Sequence, residues 1–155
     1  MIDIAVKYIQ SALNDYFGAS PDIVVLGNIS FAKDGSADAA AMEKCVVLSL
    51  INIEEDHISK EPLPYRYDGS NIFQQQPIVH LNLYLLFSAN HDDYFTSLSY
   101  LTKVITFFQH NRFFSADNDA SVPDGIDKLV FDLYSIGLDQ VHHVWSMLGG
   151  KYFPS

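Results

Sequence analysis

Residues 78–90 read "IVHLNLYLLFSAN". Val79, Leu81, Leu83, Leu85 and Phe87 alternate onto one side of an extended chain; His80, Asn82, Tyr84 and Ser88 fall on the other, with Leu86 among them. A period of two sustained over this length fits a strand and not a helix, because successive strand side chains point to opposite faces. Upstream, "KCVVLSLINIEED" at 44–56 is a second long strand. Val46, Leu48 and Leu50 share one face and Val47, Ser49, Ile51 and Ile53 the other, so its middle is expected to be covered on both sides. The two strands are expected to pair as antiparallel neighbours.

Helical spacing frames this pair. Ile2, Val6, Ile9, Leu13 and Tyr16 recur every three or four residues, which predicts a helix over 2–17, stopped by Gly18 and Pro21. In 91–111, Tyr94, Leu98, Leu101, Ile105 and Phe108 form a second stripe, widened by Phe95, Val104 and Phe107, with Asp92 or Asp93 at the N-cap position. "LDQVHHVWSMLGG" at 138–150 predicts a last helix closed by Gly149–Gly150. "DIVVLGN" (22–28) and "IDKLVFDLYSI" (126–136) add two strands. The small, polar stretch 30–42 is expected to be a surface loop, and 112–125 is turn-rich. The connection 57–76 is long for a compact domain, so it is expected to bind something or to extend as a hairpin. The layout predicts one α+β domain over 1–155. It would hold a single mostly antiparallel or mixed sheet of about four strands, with amphipathic helices packed mainly on one face.

Nineteen acidic residues against nine basic ones leave a formal charge of −10. Phosphate backbones and anionic membranes repel such a surface, so nucleic acid and membrane are not expected partners. The start of the chain lacks the basic and apolar regions of a signal peptide, and no apolar run is long enough to span a bilayer. Cys45 sits alone in an apolar run and is expected to be buried and inert.

The junction where strand 78–90 meets helix 91–111 gathers the residues that a small metal-binding or hydrolytic domain would use: His80, His91 and Asp92 or Asp93. A metal needs three or four converging ligands. His80 lies within the strand, His91 past its end, and adjacent aspartates at a helix start point apart. The ordinary reading is a strand histidine and a capping aspartate. His142 and His143 diverge by about 100° on a helix, and Glu54 and Glu55 face opposite sides of a strand. No Walker, GxGxxG, HExxH, GxSxG or CxxC pattern occurs. No catalytic, metal or cofactor residue is therefore assigned. The expected business of this chain is contact. Tyr65, Arg66, Tyr67 and Phe73 around the "YDGSN" turn, with Tyr152 and Phe153 near the end, are the candidate subunit or partner contacts. A monomeric module for a small ligand or peptide is the competing reading.

Several segments in order carry a likeness: "MIDIAVKYIQSALNDYF", "VVLGNI", "VVLSLINIEED", "PIVHLNLYLLFSANHDDY", "VITFFQHN" and "VWSMLGGKYFPS". Together they resemble the amino-terminal domain of the terminator, or cap, proteins of extracellular contractile injection systems. These are phage-tail-like particles of the antifeeding-prophage and virulence-cassette type. The resemblance implies a tail-terminator-like fold and a structural protein without cofactor or catalytic residue. It implies a ring, six-fold in the family, on the end of the inner tube and outer sheath, where it stops polymerisation. The expected partners are other copies of the chain and the tube and sheath proteins. Assembly would take place in the cytoplasm, before the particle is released. The family pattern continues past "YFPS" into a further apolar strand. Where that strand is missing, its neighbour is left unpaired or open to a partner's strand.

Overall fold

The computed structural model describes residues 1–18, 22–32, 34–56, 65–68, 71–74, 80–115, 122–123, 125–150 and 152–155. The chain divides into two compact units, Met1–Ser49 with Leu86–Ser155, and Leu50–Leu85. Both boundaries fall inside long strands.

In the first unit, helix α1 (Ile2–Phe17) buries Ala5, Tyr8, Ile9 and Leu13 and ends on Gly18. That glycine adopts φ 61°, a left-handed conformation disfavoured for residues with a Cβ, and its N–H reaches the Asn14 carbonyl. Strand β1 (Val24–Leu26) runs parallel to β2 (Cys45–Glu55), with Val24, Val25 and Leu26 opposite Val46, Val47 and Leu48. The outer edge of β1 is held by a side chain. Asn14 Oδ1 accepts the N–H groups of Ile23 and Val24 at 3.1 and 2.8 Å, while its Nδ2 donates to the Val24 carbonyl at 2.9 Å. One amide thus does the work of a neighbouring strand.

The stretch 30–42, expected as a surface loop, holds the end of a 3-10 turn (Ile29–Phe31) and a short helix α2 (Ala37–Ala41). The Ser36 hydroxyl caps α2 by accepting the Ala39 N–H at 3.1 Å. The alanines that looked like loop filler are good helix formers. Ile29, Ala32, Ala39 and Met42 are buried. A Cβ at Gly27 would stand 2.9 Å from Met42 Cε, so the tip of that buried side chain would have to shift.

Strand β5 (Leu81–Asn90) flanks β2 to complete the order β1-β2-β5. The sheet is mixed, so with β1 and β2 parallel, the β2–β5 pair is the antiparallel one. Both of its faces are covered. On one, Val25, Val47 and Leu86 meet Ile29, Met42, Trp145 and Phe153. On the other, β5 presents Phe87 to helix α3 (Tyr94–His110), whose Phe108 ring lies 5.5 Å away. The helix α4 (Leu138–Met147) carries Trp145, so helices lie on both faces rather than mainly one. This agrees with the uninterrupted burial of Cys45–Ser49.

The α+β class holds, and among the described residues the mixed sheet has three strands where about four were expected. The expected strand 126–136 contributes only β7 (Lys128–Val130), which pairs antiparallel with β6 (Phe113–Ser115) just after α3. Aromatic packing explains the choice. Phe131 stacks 4.8 Å from Phe108 and 5.6 Å from Phe114, which in turn meets Tyr8 of α1 at 5.5 Å. Rings held between two helices and a short ladder keep this segment away from the main sheet.

In the second unit, β3 (Tyr65–Asp68) and β4 (Asn71–Gln74) form the hairpin expected from the long connection. Asp56 donates its N–H to the His80 carbonyl at 2.9 Å, and Tyr84 donates its hydroxyl to Glu54 Oε2 at 2.9 Å. Residues 57–64 and 75–79, with Val79 of the alternating run, lie outside the described residues, as do Pro21 and most of the turn-rich stretch 116–121.

Candidate functional site

The histidine–aspartate junction is built as a helix start. Asp93 is the N-cap of α3: its Oδ2 accepts the Thr96 N–H at 3.0 Å and the Thr96 hydroxyl. The Thr96 hydroxyl and then the Thr96 amide hold the Asp93 carboxyl below the usual carboxylate range, because both bonds favour its charged form. His91 Nδ1 accepts the Asp93 N–H at 3.0 Å, which uses the lone pair a metal would need at that nitrogen. The His91 ring packs edge-on against Tyr100, centroids 6.0 Å apart. His80 precedes β5 and His91 follows it, at opposite ends of a ten-residue strand. Asp92 is exposed. Among the described residues, no three His, Cys, Asp or Glu side chains gather as a metal site. His142 and His143 are exposed neighbours with ring centroids 6.1 Å apart. Glu54 accepts from Tyr84 and, at 3.0 Å, from Asn52. The Cys45 thiol is buried, and burial pushes it up to about 11, so it stays protonated at neutral pH.

The candidate contact residues divide into two groups. Tyr65, Arg66, Tyr67 and Phe73 all fall in the β3–β4 ladder, where Arg66 lies across from Phe73 and Tyr65 across from Gln74; their side chains lie outside what is described. Tyr152 and Phe153 part company. Phe153 is 4% exposed and its ring lies 5.9 Å from Trp145, so it belongs to the core. Tyr152 is 65% exposed and only edges the same indole at 5.5 Å. The alternation of an extended tail across Trp145 sends one ring in and the next out.

A surface absent from those expectations stands on α3. The stripe Tyr94, Leu98, Leu101, Ile105 was expected to face the core. Of the wider expected face, which also took in Phe108, Phe95, Val104 and Phe107, the helix buries Val104 and Phe107, together with Ser97. Phe107 packs 5.3 Å from Tyr16 and 6.1 Å from Phe114, and Tyr100 lies 5.9 Å from Phe17. These rings rotate the helix by about a quarter turn from the expected phase, at 100° per residue. Tyr94, Phe95, Leu98 and Ile105 are left exposed. One signal was present in the sequence: Lys103 is the only Lys, Arg, Asp or Glu between residues 94 and 110. A helix with a purely solvated outer face normally carries charge there.

These features define an α+β domain whose conspicuous surface chemistry is apolar contact. The chain belongs to the Pvc16 N-terminal domain family, whose model matches residues 6–155. Pvc16 is one of the Photorhabdus virulence cassette proteins, and no catalytic role is known for this family domain. Comparison with curated proteins gives no match. No helix among the described residues is long and apolar enough to cross a membrane.

Proposed function

We propose that this domain is a subunit of a ring that caps the end of the tube and sheath of a contractile injection particle, ending polymerisation and stabilising the particle. The observation that carries the reading is the family match across residues 6–155, to a component of a virulence cassette. The surface chemistry supports it. Subunits of a ring meet head to tail through two different patches of one chain, and large apolar side chains stand exposed on α3 and after β7. A formal charge of −10 suits basic patches on tube or sheath proteins. The β3–β4 hairpin, with Tyr65, Arg66, Tyr67 and Phe73, is a further candidate to reach a neighbour.

Negative-stain imaging of particles produced with and without the gene tests the reading. Without it, tubes of uncontrolled length or unstable sheaths are expected. Particles of normal length and stability in its absence would refute a capping role.

A further inference from the structure

The exposed face of α3 is apolar and uncharged in a strongly acidic molecule. Phe95 is 79% exposed, with Tyr94, Leu98 and Ile105 also open to solvent. At 100° per residue, the arc that holds these four also takes Thr102 and Gln109, neither of them charged, while Lys103 falls outside it with its ammonium 5.4 Å from the Phe17 ring. A second apolar strip follows β7. Val130, Leu133, Ile136 and Leu138 are exposed, Leu133 at 79% and Leu138 at 88%. The strip has strand-like sequence, yet beyond the Phe131 N–H, which donates to the Arg112 carbonyl at 2.8 Å, it joins no ladder among the described residues. Each patch stays open in the same unit, so neither covers the other.

We infer that the α3 face of one copy docks the 130–138 strip of the next copy of this chain. This rests on the ring reading, because head-to-tail closure needs two unlike surfaces, and these are two. Charge selects the occupant. A basic tube or sheath partner gains nothing from an uncharged face, whereas a second acidic copy gains an approach along a helix whose acids, Asp92 and Asp93, stand only at its start. The strip carries Asp132 and is flanked by Asp127, Lys128 and Asp139, all exposed, so two strips set against each other repel more than a strip set against the uncharged length of α3. Area agrees. With ~200 Å² for a whole aromatic and about half that for an aliphatic, the two patches together offer roughly 600 Å² of apolar surface. A standard contact buries at least about 1,200 Å² in total, a little over half of it apolar.

The test uses full-length Leu98→Cys and Leu133→Cys proteins, each confirmed folded by circular dichroism, and a short bismaleimide. The native thiol is buried. A cross-linked dimer is expected when the two variants are mixed and not with either alone. A doubly substituted chain should give a ladder that stops at a closed ring. Cross-linking of Leu98→Cys with itself would show a two-fold α3 contact and overturn the inference. Absence of any cross-link would overturn it too. In either case, particles still capped at normal length would leave the ring reading standing, whereas loss of length control on deleting the gene is the measurement on which that reading depends.

Discussion

Asp93 is the residue that turns a strand end into a helix start, and its chemistry was legible before any fold was known. A carboxylate just ahead of an apolar helical run satisfies open N–H groups and meets the positive end of the helix. Its folded-state value is depressed, so the stability it adds is present above the ordinary carboxylate value of 3.8 and is lost as pH falls through the lower folded value. Asp93→Ala is expected to lower the urea midpoint at pH 7, whereas Asp93→Asn, also a good cap, keeps it and removes this residue's share of the acid sensitivity. A midpoint unmoved by Asp93→Ala would deny the cap a role in stability. Asn14 is the opposite case. In the sequence it is one polar position in a helix; its clamp on β1 exists only because the chain brings residues 23 and 24 back beside it.

Helix α3 shows why an element can be found correctly and oriented wrongly. Its extent, Tyr94–His110, lies within the predicted 91–111. Its inward face matches the prediction only at its margin, Val104 and Phe107, because apolar residues occupy two adjacent faces and periodicity alone ranks only their sum. The neighbours decided the phase: Tyr16, Phe17 and Phe114 take the Tyr100–Phe107 side. Leu98→Asp on the open side is therefore expected to stay within about 0.5–1 kcal/mol of the parent in chemical denaturation. Val104→Asp, which buries an unpaired charge, should lose several kcal/mol or fail to fold. Equal losses from the two substitutions would contradict the assigned phase. The strand predicted over 126–136 failed for a related reason, since a strand needs a partner edge and only Lys128–Val130 finds one in β6.

At the scale of the whole molecule, the proposed ring requires a chain with charge −10 to come together with itself. Like charge opposes assembly, and uncharged apolar faces favour it. In solution, light scattering at high protein concentration is expected to report a species near six times 17.4 kDa, with Phe95→Asp shifting it to the single subunit. A Phe95→Asp protein that assembles as the parent does would remove α3 from the contact. The sequence by itself determined the α+β class, the two long strands, a capping aspartate for α3, the Gly18 stop of α1 and the net charge of −10, because these depend on local period, propensity and composition. Only the tertiary structure decided which face of α3 is buried, that Phe153 is core while Tyr152 is not, and which helices cover the two faces of the sheet. Those outcomes depend on rings from distant segments competing for the same few buried positions, and no local pattern records who wins.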